Sequence, residues 1–117
     1  MQEMFRLMDL RVRRSCLIRP KMLVTGVNGV IGQSVARYFC ADYEITGLDV
    51  QVSDISGSAH QYFQMVLPDR DLRQLFLGGQ FDFCIHCAGG SSVTQSVRDP
   101  AGDFNAGPPV VLQLLDE

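Results

Sequence analysis

Four short apolar runs punctuate the chain, at residues 22–24, 43–48, 62–67 and 81–87, and helical or polar stretches separate them. The first run leads into three glycines spaced by three, Gly26, Gly29 and Gly32, and then into residues 31–40. There Ile31, Val35, Tyr38 and Phe39 fall on one side of a helix, with Gln33, Ser34 and Arg37 elsewhere. A second strand is expected over residues 43–49, ending in the acid Asp49. Ser53, Ser56, Gly57 and Ser58 follow in a stretch without periodicity, which predicts a loop. A third strand is expected over 62–67. Pro68 and Asp69 mark a helix start, Leu72, Leu75 and Phe76 its buried stripe, and Gly78-Gly79 its stop. Residues 81–87 are almost continuously apolar, as a strand covered on both faces should be. The order βαββαβ with short joints predicts an α/β fold, a doubly wound parallel sheet of about four strands in the order 3-2-1-4.

The junction at residues 25–32 gives this pattern its chemistry. A strand, a glycine turn and a helix start direct backbone N–H groups and the positive end of a helix dipole at one point, which suits the pyrophosphate of a dinucleotide. Gly26 allows the tight turn, Gly29 leaves the backbone bare for phosphates, and Gly32 lets the helix pack closely. A Rossmann-type site also requires an acid about 20 residues on, at the end of the next strand, and Asp49 meets that requirement. Asp49 would accept hydrogen bonds from the adenosine ribose hydroxyls and repel a 2′-phosphate, so NAD is favoured over NADP. Taken alone, the same residues also fit a glycine-rich connector and a surface aspartate in another α/β domain.

Composition narrows the class. The 117 residues are 46% apolar and 20% charged, as in one globular unit. No apolar run approaches the ~18 residues of a membrane span. The formal charge of −3 divides unevenly: residues 1–21 carry six Arg/Lys against Glu3 and Asp9, a net +4, which leaves −7 for the rest. An acidic body argues against a general nucleic-acid binder. Residues 1–21 read as a basic N-terminal extension without chemistry of its own, ahead of a domain over 22–117. They are either an overlong start before Met22 or a short helix over 4–10 with an Arg-rich connector to Pro20. Cys16, Cys40, Cys84 and Cys87 without a secretory signal suggest a reducing, cytoplasmic setting. Cys84, His86 and Cys87 cannot converge on a metal, since strand parity sends 87 to the face opposite 84 and 86. His86 reads as a satisfied strand-end histidine, and His60 as a loop residue with nothing to orient it.

TGVNGVIG at 25–32, the acid-ended strand at Asp49, and HCAG at 86–89 followed by SSVTQSVRDP at 91–100 carry a family likeness. Together they resemble the N-terminal part of the extended short-chain dehydrogenase/reductases, the NAD-dependent epimerase/dehydratase family acting on nucleotide sugars. The resemblance implies that Gly26, Asn28, Gly29, Val30 and Ile31 lie along the pyrophosphate, with Gly32 completing the motif and Asp49 on the adenosine ribose. Ala88 and Gly89 would pass beside the cofactor's other half. Ser91, Ser92 and Val93 would border the nicotinamide and substrate side.

The chain also departs from that family. An aspartate that relatives place after the third strand, against the adenine amine, is replaced near Met65 or Val66, and Asp69 matches a later helix-capping acid. Pro108-Pro109 would break a helix running through them. The family's Tyr-x-x-x-Lys pair has no counterpart, because tyrosines occur only at 38, 43 and 62 and lysine only at 21. The expectation is an NAD-binding portion of a nucleotide-sugar epimerase, dehydratase or reductase, inactive by itself. The alternative is a non-catalytic dinucleotide-binding module completed by a partner, with a homodimer through the open edge of the fourth strand as one form.

Overall fold

The computed structural model describes residues 18–89 and 92–117. The helix considered over residues 4–10, Cys16 and Ser91 lie outside the described residues. The chain runs through β1 (Lys21–Thr25), α1 (Val30–Phe39), β2 (Glu44–Asp49), β3 (Gln61–Gln64), α2 (Leu72–Gly79) and β4 (Phe83–His86). Three short helices follow, α3 (Val93–Arg98), α4 (Pro100–Ala106) and α5 (Pro108–Asp116). The four strands form one all-parallel sheet in the order β3-β2-β1-β4, as the apolar runs and their spacing predict.

β1 and β2 are the centre of the sheet, and their side chains alternate between two cores. Met22, Val24 and Ile45 join Val27 and Ala36 on the α1 side, while Leu23 and Leu48 meet Leu72 of α2 on the other. All eight are buried. Each large aliphatic side chain removed from water here contributes on the order of 1.5–3 kcal/mol, so this central pair is the rigid reference for the rest. The opposite, N-terminal end of the sheet is closed by edge-to-face rings, Tyr38 on Phe39, Phe39 on Tyr43 and Tyr43 on Phe83, with centroids 4.9, 5.3 and 5.7 Å apart.

Several elements differ from the sequence pattern for identifiable reasons. The stripe of α1 facing the sheet is Gly32, Val35, Ala36 and Phe39 rather than Ile31, Val35, Tyr38 and Phe39. Gly32 sets this rotation, because a β-carbon there would lie 2.0 Å from the Gly26 carbonyl oxygen. Ile31 and Tyr38 therefore turn outward, 70% and 78% exposed. α2 runs through Gly78-Gly79 and stops at Gln80, which takes the left-handed conformation (φ 48°) and donates its N–H to Phe76 O. β4 is shorter and barer than an interior strand, with Phe83 and Cys84 exposed, since no fifth strand lies beside it among the described residues. Pro108 and Pro109 begin α5 instead of breaking a helix, as the first-turn positions tolerate a missing N–H. α3 occupies most of the SSVTQSVRDP stretch at 91–100, capped by Ser92 Oγ accepting from Gln95 N.

Polar ties fix where the chain leaves β4. At the strand start Lys21 N donates to Asp82 Oδ2 and Asp82 N to Lys21 O, both at 2.8 Å. At its end Cys87 N donates to Thr25 O (3.0 Å) and Ala88 N to Thr25 Oγ1 (3.3 Å). The fully buried Thr25 hydroxyl also lies 2.6 Å from His86 Nδ1. One hydroxyl thus serves both the ring and the amide of the segment that follows the strand. Thr25→Val keeps the shape and removes this partner, so a loss of about 1–3 kcal/mol is expected, read as a lower urea midpoint; an unchanged midpoint would show that the tie contributes nothing. Burial holds the His86 ring below its ordinary value of 6.5. The unfolded chain then binds a proton that the folded chain resists, so stability is full above that value and declines as pH falls through it. Urea midpoints at pH 7.5 and 5.5 should differ less in His86→Gln than in the wild type.

Candidate functional site

A cleft of about 450 Å³ opens at the carboxyl ends of the strands, where the order reverses between β1 and β4. Gly26, Asn28 and Gly29 form one wall, Leu48, Asp49, Val50 and Gln51 a second, and Cys87, Ala88 and Gly89 a third. Met65, Val66, Leu67, Ala106 and Val110 make an apolar end. Three segments predicted from sequence to share a site are therefore brought together.

The β1–α1 turn is built by backbone proximity. Gly26 has φ +66°, and a β-carbon on it would fall 2.6 Å from Ala88 N. Its N–H and that of Val27 both donate to Leu48 O, at 2.7 and 3.3 Å, which ties the turn to the end of β2. Gly29 N donates to Gly26 O (3.0 Å) and closes the turn. At Gly29 a β-carbon would meet only Gly26 O, at 3.3 Å, on an extended backbone (φ −71°) that any residue adopts. Gly29 is thus the glycine whose bareness faces the cleft, whereas Gly26 and Gly32 are required by packing.

Asp49 is the sole charged side chain among the described residues lining the cleft. Its Oδ2 accepts from Asn28 N (2.9 Å) and its Oδ1 from Val50 N (2.7 Å). A carboxylate offers about four acceptor sites, so both oxygens keep capacity for a ligand hydroxyl. Among the described lining residues there is no cation to meet a second anionic group beside it. Phosphate there would be met by main-chain amides, among them those of the first turn of α1, which have no intrahelical acceptor.

Not every residue predicted for the site behaves as expected. Asn28 lines the cleft, but its N–H serves Asp49 and its side chain turns into the 51–55 loop. Val30 and Ile31 lie outside the lining, and their side chains are exposed. Gly32 is buried beneath the turn. Ser92 caps α3 and Val93 is exposed; neither lines the cleft. His60 is oriented after all, because its Nδ1 accepts from Ile45 N (2.9 Å) where β2 begins. Sequence reasoning missed Val110 and Ala106, which reach the cleft from the C-terminal helices; the spacing of Val110 and Leu114, both packed inward, was the available signal.

The remaining titratable groups add little reactivity. Partial desolvation raises the thiol values of Cys87 and of Cys84, whose residue is exposed but whose thiol is shielded by the surrounding chain, with the neighbouring Cys87 a further cause at Cys84, so both stay protonated near neutral pH. Tyr62 is raised mainly by burial and then by Asp49, against a lowering hydrogen bond from Asn28. Among the described residues no group of three or more His, Cys, Asp or Glu side chains could hold a metal, and no helix is long and apolar enough to cross a membrane.

Known proteins share this fold. UDP-glucose 4-epimerase from Thermus thermophilus, solved in complex with NAD, is 28% identical with a TM-score of 0.72, over 82% of this chain and 32% of that one. The UDP-Glc/GlcNAc 4-epimerase of Campylobacter jejuni is 25% identical with a TM-score of 0.73, over 83% of this chain and 32% of that one. A partial consensus L-threonine 3-dehydrogenase, 22% identical with a TM-score of 0.73 over 83% of this chain and 32% of that one, shares the fold. The chain spans about a third of the length of these structures. No curated protein matches it. The sequence model of the NAD dependent epimerase/dehydratase family matches residues 22–117, and with the fold and the strand-end cleft in agreement, the chain belongs to that family.

Proposed function

We propose that residues 22–117 are the NAD-binding portion of an enzyme that epimerises, dehydrates or reduces a nucleotide sugar. The observation that carries this reading is the meeting, in one cleft, of the bare Gly29 turn, the Asp49 carboxylate and the Ala88-Gly89 segment. The residues present suit the cofactor. The bare turn at Gly26 and Gly29 would give the pyrophosphate room to approach the first-turn amides of α1, while Asp49 would take the adenosine ribose and Ala88 and Gly89 the flank of the nicotinamide half. When bound, the nicotinamide supplies a hydride acceptor and donor. This chain's residues bind and orient it, and the Thr25 tie holds the 87–89 segment at the required height beside it.

The lining also supports NAD over NADP. A 2′-phosphate would meet Asp49 and find no lysine or arginine among the described lining residues, a repulsion without compensation. Acid/base chemistry on the sugar is not assigned to this stretch. Lys21 begins β1 at the end of the sheet away from the cleft, and Tyr38, Tyr43 and Tyr62 do not line it. The neighbours solved as UDP-sugar 4-epimerases support a nucleotide sugar as the substrate class.

Gly29→Val tests the pyrophosphate site without removing a packing glycine. Its backbone angles suit valine, its side chain would project over the turn, and calorimetric titration should show NAD uptake by the wild type and none by the variant. Equal titration curves would remove the turn from the cofactor site. In Asp49→Ala the preference for NAD over NADP should shrink by about tenfold or more, the equivalent of ~1.4 kcal/mol, and an unchanged ratio of dissociation constants would take Asp49 off the ribose.

A further inference from the structure

The crossover from β2 to β3, residues 50–60, contains no helix, and the apolar side chains of Val50, Val52 and Ile55 are exposed. Hydrophobic burial therefore does little to hold its first half, yet Val50 and Gln51 line the cleft. Polar contacts hold it instead: Gln64 Nε2 donates to Val50 O (3.1 Å), Asp54 accepts from Ser56 N and Ala59 N, and the contacts of residues 51, 53 and 55 converge on Asn28. Asn28 Oδ1 accepts from Ile55 N (2.8 Å), and Asn28 Nδ2 donates to Ser53 O (2.9 Å) and Gln51 Oε1 (3.0 Å). Behind them Tyr62 Oη, 3.4 Å from Asn28 Nδ2, donates to Gln51 O (2.5 Å). Asn28 is itself fixed at both main-chain groups, its N–H by Asp49 Oδ2 and its carbonyl by Gln33 Nε2 (2.7 Å).

We propose that Asn28 is a positioning residue: its side chain clamps the 51–55 loop to the glycine turn and so sets the cleft wall beside Asp49 before any ligand arrives. This inference rests on the NAD reading and deepens it. The position belongs to the turn, where a direct phosphate contact would be expected, but the amide points the other way and acts through the loop. A preformed wall removes the ordering cost that a loose loop would impose on binding. Because the loop and the turn flank the same carboxylate, the clamp also fixes the distance between the two surfaces that an adenosine ribose would bridge.

Two variants of the full chain test the clamp. Asn28→Ala deletes the contacts to Gln51, Ser53 and Ile55, and Tyr62→Phe deletes the donor to Gln51 O from a residue that does not line the cleft. Amide hydrogen exchange should accelerate at residues 51–55 in both and stay unchanged in β1, a pattern that a general loss of stability would not give. NAD affinity by calorimetry should fall about tenfold in Asn28→Ala and about threefold in Tyr62→Phe, as lost preorganisation requires. Unchanged loop exchange, or Asn28→Ala affinity within about twofold of wild type, would overturn the clamp. A wild-type chain that takes up no NAD would instead overturn the cofactor reading beneath it.

Discussion

Three stretches of main chain meet at Gly26 with no room for a β-carbon between them. The exit of β4 lies against it at Ala88, and the first turn of α1 lies against it through Gly32, whose added β-carbon would stand 2.0 Å from the Gly26 carbonyl. Everything that defines the cleft follows from this approach. It rotates α1 so that Ala36 and Val35 face the sheet, it leaves Gly29 at the open lip, and it draws residues 87–89 alongside the turn. Larger residues at either packed glycine would push the walls of the cleft apart.

Around that crossing the molecule uses two kinds of cohesion. The central strands are held by apolar burial on both faces, through Leu23, Val24, Ile45 and Leu48. The walls of the cleft are held by directed hydrogen bonds from a few side chains: Thr25 to the 86–88 segment, Asp49 to Asn28 and Val50, Asn28 to the 51–55 loop. Hydrophobic burial is non-directional, and it suits a sheet whose register is fixed by its ladders. Polar ties specify angle and distance, which a binding surface needs. The buried hydroxyl of Thr25 and the half-buried amide of Asn28 stand at the boundary between the two regimes.

The sheet is legible in the sequence because its evidence is periodic. Four apolar runs, glycines three apart and an acid closing the second run suffice for strand order and for the location of the cleft. What the chain does not disclose depends on contacts between distant residues. The stripe of α1 follows from the clash of Gly32 with Gly26, which apolar spacing does not register, so spacing alone points Ile31 and Tyr38 inward. His60 and Asn28 are polar residues whose partners, Ile45 N and the 51–55 loop, are 15 to 27 residues away; no local pattern encodes such pairs. β4 reads as an interior strand from its composition, while its exposure depends on what lies beside it.

The separation of stability from site runs along the strand axis. At one end the rings of Tyr38, Phe39, Tyr43 and Phe83 interlock, each such pair adding about 0.5–1.5 kcal/mol beyond its burial. At the other the chain leaves β1, β2 and β4 through the glycine turn, an exposed loop and two small residues, Ala88 and Gly89, with little side-chain mass. A β-carbon at Gly89 would meet nothing within 4 Å, so that segment is open by geometry as well as by composition. Apart from the Thr25 tie, such an end packs few large side chains and can be shaped for a ligand, provided the glycine crossing and the Asn28 and Thr25 ties keep its walls in place. The distribution of strength in this chain therefore matches the proposed role of the cleft, in which main chain rather than side chain would face the phosphates.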